Sequence, residues 1–394
     1  AWRAVNKNVA AFHSHKHRKY IQKAAYGKPL VNVEERYKYQ RNGRFRGNVI
    51  SRRTKKSGRG VLEASITQEV DQAGIPRREC MNLSVRINVS RYNMAEAQKW
   101  ILNGPHVYPG ANYVTLKDGR EINLSFMDNR RLIDLSEVLF VERHLLDNDI
   151  VIVNRQPTLH RPSMMSFRVQ VIEGFCVRLH YAVFPPLGAD CDGDEVNFQV
   201  IEGLEAQAEA RQISSVANSI MKDGKIWIQF ILNAVIGAHL LTRADVRLNQ
   251  SDVHFILSAF LLEADFVWPE PCEHVAPGYT HDGDFDPGRR WSGHQLVSSI
   301  LPPELTLITK DLVIRNGIME SGQLNEKLLN GSNGILHHLY RDVPDRNVTL
   351  RFLYRGYIVF QRYLDLFGHS VGYYDCAIDF QHEDAYAQGA YDTP

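Results

Sequence analysis

The chain predicts an α+β fold, with a β-rich middle and a mainly helical C-terminal half, and three observations predict it. Short runs of Val, Ile, Leu and Phe, broken by Pro and Gly, fill residues 76–200 at strand length. Stretches at helical spacing occupy residues 201–394: Leu204 to Val216, Trp227 to Ala244 and Leu350 to Leu366. The first 60 residues are basic, with 17 Lys and Arg against two acids, so the formal net charge of +1 over 394 residues hides a strong asymmetry.

Three regions follow from this. Residues 1–75 are basic and loop-rich, with a helix expected around His13 to Ala25. Residues 76–200 form the β region and residues 201–394 the helical one. Asp265 to Arg290 is rich in Pro and Gly and reads as an insertion or linker. There are no internal repeats.

Composition excludes several function classes. At 44% hydrophobic and 23% charged, the chain has ample core for two or more domains. It has no run of 18 apolar residues, so no membrane span is expected. No signal-peptide pattern opens it, so a non-secreted protein is expected. Cys80, Cys176, Cys191, Cys272 and Cys376 are scattered with no C-x-x-C pair, which gives neither a disulfide framework nor a zinc site and suits a reducing compartment. Neither a Walker-type loop nor a Rossmann fingerprint is present.

The chemistry concentrates in Asp190-Cys191-Asp192-Gly193-Asp194. In an extended backbone, alternate side chains share a face, and Gly193 lets the chain bend so that the three carboxylates approach one point. Carboxylates that close require a cation between them. An oxygen-only set with no His or Cys on that face selects Mg²⁺, Mn²⁺ or Ca²⁺. An EF-hand fails, because counting from Asp190 puts Glu195 where the loop wants Gly and Ile201 where it wants Glu. Asp282-Gly283-Asp284-Phe285-Asp286 has the same spacing but lies among Pro and Gly, and reads as a surface loop. The Asp190–Asp194 stretch is flanked instead by Phe184 to Leu187 and Val196 to Val200, which predicts a buried strand–loop–strand.

Upstream lies Asn154-Arg155-Gln156-Pro157-Thr158-Leu159-His160, after the apolar run Val151 to Val153. With these two elements the chain resembles the largest subunit of multisubunit DNA-dependent RNA polymerases of the eukaryotic, archaeal and large-virus type. There the same heptapeptide, followed by Asn-Ala-Asp-Phe-Asp-Gly-Asp-Glu-Met-Asn, marks an active-site double-psi β-barrel. The first element matches unchanged; the second departs at Gly188 (family Asn), Cys191 (family Phe) and Val196 (family Met). Arg44-Phe45-Arg46-Gly47-Asn48 through Ser57-Gly58-Arg59 is similar to the family's switch segment, and Gln72 to Pro76 to the segment leading into its dock. Tyr108-Pro109-Gly110-Ala111, Val141-Glu142-Arg143-His144 and Asp149-Ile150-Val151 recur in order. Trp291-Ser292-Gly293 and Gly317 to Gly322 fall where the family has its pore and funnel.

The resemblance implies nucleotidyl transfer to an RNA 3′-hydroxyl by a two-metal mechanism. Asp190, Asp192 and Asp194 would hold one Mg²⁺ permanently, and a second would arrive with the nucleoside triphosphate. Arg155, presented by the turn at Pro157, would reach the incoming ribose hydroxyls, to which a planar guanidinium offers several fixed donors. Gly188 removes the side chain that in the family helps recognise the 2′-hydroxyl. Cys191 would replace a buried aromatic, and His160 is expected to be a barrel histidine with no catalytic role. Arg46, Arg52, Arg53, Lys55, Lys56 and Arg59 would grip phosphates independently of sequence, with the interspersed Gly43, Gly47, Gly58 and Gly60 allowing close backbone approach to the polyanion.

By the same resemblance the chain is taken as a basic clamp-core or switch-like segment (1–75), a dock and barrel (76–200) and a pore/funnel-like region (201–394). The second barrel would come from a second-largest, β-like subunit. No zinc clamp, bridge helix or trigger loop is found, so a fragment or one piece of a split largest subunit is expected, working with template DNA, RNA product and nucleoside triphosphates. The Asp-Cys-Asp-Gly-Asp variant is similar to those of divergent viral polymerases, which leads to the expectation of a virus-encoded or otherwise diverged enzyme in nucleus, cytoplasm or virion. Two alternatives stand beside this one: an RNA-templated polymerase sharing the barrel, and a non-catalytic scaffold paralogue.

Overall fold

The computed structural model describes residues 2–13, 32–38, 43–45, 49, 54–264, 266–275, 278–279 and 285–372. Its contacts divide the chain into two units, Ala1–Ser57 and Gly58–Pro394. The first unit contains α1 (Trp2–His13) and α2 (Val33–Lys38). The helix expected at His13 to Ala25 falls outside the described residues, apart from His13 at the end of α1.

The second unit opens with ten strands: β1 (Ser57–Ser65), β2 (Gln72–Pro76), β3 (Ser84–Asn88), β4 (Ala111–Leu116), β5 (Glu121–Asn123), β6 (Val138–His144), β7 (Ile150–Asn154), β8 (Met164–Ile172), β9 (Val177–His180) and β10 (Glu195–Val200). Six close into a barrel in the order β1-β10-β7-β8-β2-β9. Pairing is mixed: β8 with β2 and β9 with β1 run parallel, while β10–β7, β7–β8 and β2–β9 run antiparallel. A closed six-stranded mixed barrel is consistent with the double-psi type. Two of its strands, β1 and β2, begin before residue 76.

Alternation decides which side chains fill the barrel. In β10, Val196, Phe198 and Val200 are buried while Glu195, Asn197 and Gln199 are not. Ile75, Val153, Met165, Phe167 and Leu179 join them in the core, each buried large apolar side chain contributing about 1.5–3 kcal/mol. The fit is tight at β1. A Cβ on Gly58 would collide with the Phe198 ring, and one on Gly60 would lie 2.8 Å from Val177 Cγ2. Barrel packing therefore requires glycine at both positions.

Strands β3 to β6 form a separate antiparallel sheet in the order β3-β6-β4-β5. Its core of Val114, Leu124 and Val141 packs with Ala97 and Ile101 of a helix at Met94–Asn103. Motif pieces scattered in the sequence meet where this sheet joins the barrel. Tyr108 stacks on His144 at 6.1 Å, Gly110 N–H donates to His144 Nδ1 at 3.1 Å, and Arg143 clamps Asp149 through two bonds of 2.7 and 2.8 Å.

Beyond the barrel the chain is mainly helical, with small sheets between the helices. The long helix at Arg346–Phe367 begins at an Asp345 cap and ends at Gly368. It packs along the helix at Asn233–Leu241, and Phe230 contacts Phe352, Tyr357 and Phe360 at 5.2 to 5.6 Å. The Trp291-Ser292-Gly293 motif is a strand running into a helix, where Ser292 and Gln295 form a capping box. Asp282 to Asp284 fall outside the described residues; Phe285–Asp286 pairs with Gly278–Tyr279. No described helix is long and apolar enough to cross a membrane.

Candidate active site at the barrel rim

Strand pairing explains how residues far apart in sequence meet. In the antiparallel β7–β10 ladder Asn154 stands opposite Asn197. Arg155 leaves β7 where Asp194 enters β10, so a guanidinium and a carboxylate meet at one end of the barrel. Arg155 Nε lies 2.8 Å from Asp194 Oδ2, and Nη2 donates to Oδ1 at 3.1 Å. The Asp190 N–H also donates to Asp194 Oδ2, at 2.9 Å. These bonds, Arg155 first, hold the Asp194 carboxyl below the usual carboxylate range.

The turn after Arg155 is closed by Thr158 Oγ1 donating to Asn154 Oδ1 at 2.7 Å, across a cis Gln156–Pro157 peptide bond. Pro157 is exposed at its tip. His160 is not a barrel histidine: it is exposed, its ring centroid 5.0 Å from that of Trp227. It follows the turn at Pro157, outside the strands, so the alternation that buries barrel residues does not reach it.

The Asp loop differs from the buried strand–loop–strand expected. Phe184–Leu187 is a short helix that ends at Gly188 in the left-handed region (φ 58, ψ 36). Pro185 and Pro186 explain this, since proline lacks the N–H a sheet ladder needs and suits a first helical turn. Residues 191–193 form a turn, with Gly193 at φ 105. Asp190, Cys191 and Asp192 are exposed and Asp194 is half-buried. Cys191 therefore does not fill a buried aromatic's place, because the turn carries it away from the core.

An oxygen-only set of three carboxylates within one glycine-containing turn fits a hard divalent cation by donor chemistry. Their placement is not closed around one, because Asp194 faces Arg155. Among the described residues no three His, Cys, Asp or Glu side chains converge on a common point.

Of the basic block, Arg46, Arg52 and Arg53 fall outside the described residues. Lys55 is exposed and Lys56 half-buried. Arg59 pairs with Glu195 at 2.5 Å, both largely exposed. Gly188 faces Arg155: an added Cβ would lie 3.7 Å from Nη1. Sequence reasoning did not single out Tyr181. It stacks on Phe184 at 4.9 Å, and its hydroxyl is pushed up by burial and then by Cys191 and Asp190. Its position before the motif carried no signal.

Residues 51–216 match the family described as RNA polymerase Rpb1, domain 2, and residues 220–376 match RNA polymerase Rpb1, domain 3. The chain is 34% identical over 303 residues to the DNA-directed RNA polymerase subunit Rpo1N of Halobacterium salinarum, covering 76% of this chain and 30% of that one. To the Rpo1N subunit of Thermococcus celer it is 38% identical over 287 residues, covering 71% and 30%. To that of Methanothermobacter thermautotrophicus it is 32% identical over 340 residues, covering 80% and 37%. The chain thus spans about a third of the length of the curated relatives it matches. Matches to two consecutive domains, and to relatives of 32 to 38% identity over 71 to 80% of this chain, place the chain in the largest-subunit family of DNA-directed RNA polymerases.

Proposed function

We propose that this chain supplies the catalytic loop of a DNA-directed RNA polymerase, extending RNA from nucleoside triphosphates. The observation that carries the reading is the meeting of Arg155 with Asp194 at the barrel rim, with Gly188 alongside. Asp190, Asp192 and Asp194 would hold Mg²⁺. When bound, the divalent ions supply activation of the RNA 3′-hydroxyl and neutralise charge on the leaving pyrophosphate.

The chain's own residues position the reactants. Arg155 offers fixed N–H donors to the sugar hydroxyls of the incoming nucleotide. The turn closed by Thr158 and Asn154 sets its angle of approach. Gly188 leaves the space beside Nη1 open. Lys55, Lys56 and the neighbouring arginines attract a phosphate backbone to the basic segment. A second-largest subunit, the rest of the largest subunit, template DNA and the RNA product are the partners this reading requires.

The test is RNA extension by the assembled polymerase carrying Asp192→Asn. Asp192 is exposed, so folding should be unchanged within about 0.5 kcal/mol. Extension should be abolished; a variant that keeps a substantial fraction of wild-type activity refutes the reading.

A further inference from the structure

We propose that a cleft in the helical half of the chain is a docking site for a proline-rich, basic segment of a partner protein, held as a polyproline II helix. The inference stands apart from the catalytic-loop reading. The cleft has a volume of about 830 Å³, within the ordinary range of ligand clefts. Its walls are apolar and carry several prolines: Trp268, Pro269, Pro302, Pro303, Ile318 and Met319. Val267 and Ile318, both in the lining, are 78% and 60% exposed. Large apolar side chains left together at a surface mark an interaction site.

Two neighbouring tryptophans differ in one respect. Trp291 is buried, and its indole N–H donates to Pro269 O at 2.9 Å. Trp268 is half-buried, its ring set edge-on to those of His254 and Phe266. Its indole N–H has no acceptor among the described residues. The ring is thus braced by its neighbours while its one donor is left for a ligand. A polyproline II segment suits such a wall. It has no internal hydrogen bonds, so its carbonyls are available to an indole donor, and its proline rings pack on aromatic and apolar surfaces.

Strand addition is the competing mode, because Ile318–Gly322 is the edge strand of a three-stranded sheet. Two of its main-chain groups are already taken by the helix at Gly293–Ile300. Met319 N–H donates to Ser298 Oγ at 2.9 Å, and Gly322 O accepts from His294 Nε2 at 2.8 Å. That helix covers the edge, which leaves an added strand no regular ladder to join. The charges lining the cleft set the sign of the partner. Glu320 is paired with Arg315 at 2.8 Å and Arg355 with Glu263 at 2.6 Å, and Arg351 is engaged as well. The exposed carboxylates of Glu270 and Glu304, which follow Pro269 and Pro303 in sequence, have no ion-pair partner among the described residues. They favour Lys or Arg beside the prolines of the incoming segment.

The experiment uses the full 394-residue chain and a fluorescein-labelled decaproline with an arginine at each end, titrated by fluorescence anisotropy. One control peptide carries glutamate in place of arginine; the other carries a glycine–serine spacer in place of proline. Wild type should bind the arginine-flanked decaproline with a Kd below about 1 mM, and each control more weakly. Trp268→Phe keeps an aromatic ring and removes the N–H, and should weaken binding about fivefold, the worth of one hydrogen bond. Glu270→Gln should weaken it about two- to fivefold and flatten its salt dependence. Glu270 is exposed, so this variant keeps the test decisive where Trp268→Phe folds poorly. Absence of binding by wild type, equal binding of the glycine–serine control, or unchanged affinity in either variant overturns the proposal. Self-association of wild type that Ile318→Glu abolishes in sedimentation velocity also overturns it, because the groove would then belong to a second copy.

Discussion

The main-chain N–H of Leu62 donates to the carbonyl oxygen of Asp194 at 2.8 Å. The Asp loop is therefore hung from β1, the strand that continues directly from the basic segment. Leu62 is buried in the barrel, so the position of the loop depends on how closely β1 seats against its neighbours.

Gly58 sets that seating. A Cβ there would collide with the ring of Phe198, which is itself buried and cannot swing aside. Gly58→Ala should destabilise the 58–394 unit by about 1–3 kcal/mol, the usual cost of overpacking. Urea or thermal denaturation measures this. If Gly58 served phosphate approach instead, the variant would keep its stability and lose only nucleic-acid affinity.

Gly188 governs a different property. Its left-handed backbone (φ 58, ψ 36) is one that Asn tolerates better than other side chains do. The 3.7 Å from an added Cβ to Arg155 Nη1 is ordinary contact, so the amide has room beside the guanidinium. Gly188→Asn should improve discrimination for ribo- over deoxyribonucleoside triphosphates by about 1–2 kcal/mol, roughly five- to thirtyfold, the worth of one hydrogen bond. Incorporation efficiencies for matched pairs, in wild type and variant, decide it. No gain would mean that the 2′-hydroxyl is read elsewhere in the assembly.

The basic block predicts a salt dependence. Binding to duplex DNA should weaken with salt at a slope of roughly −0.9 per phosphate contact in log–log form. Neutralising Arg52, Arg53 and Lys55 together should flatten the slope by about 2 to 3. Arg59 already pairs with Glu195 at 2.5 Å, so Arg59→Ala should flatten it by less than any one of the others. Equal effects would show that nucleic acid takes Arg59 away from Glu195.

Much of the barrel was legible because its signal is local. Glu195 to Val200 alternates, and the alternation alone assigns its buried face. The Arg155 and Asp190–Asp194 motifs could likewise be read residue by residue. What escaped depends on partners distant in sequence or on a choice between competing local rules. The packing role of Gly58 and Gly60 was not legible because Phe198 and Val177, which they meet, lie far downstream. Phe184–Leu187 is as apolar as a strand, and only Pro185 and Pro186 argue for the helix it forms. The engagement of Asp194 by Arg155 needed the β7–β10 register, which neither motif contains.

Two buried histidines predict acid sensitivity. His180 accepts from the Ala182 N–H at Nδ1, and its ring meets Tyr357 edge-on at 4.8 Å. His144 accepts from the Gly110 N–H. Burial lowers the His180 pKa from 6.5 to about 3 and that of His144 to about 4, so both are neutral in the folded protein. Below pH 6.5 the unfolded chain takes up protons that the folded one refuses. Their contribution to stability is thus fully present above pH 6.5 and drains away as pH falls toward those lowered values. For His180 the slope approaches about 1.4 kcal/mol per pH unit. Carboxylates such as Asp194 and Asp342, held below their ordinary range, act in the same direction but only in more acidic solution. The interval from pH 6.5 to 5 therefore isolates the histidines. Urea midpoints measured across it should fall steadily in wild type. His180→Asn keeps an acceptor for the Ala182 N–H but cannot titrate there, so it should show a shallower fall even if it is less stable throughout. An unchanged slope in that variant would assign the acid sensitivity to other groups.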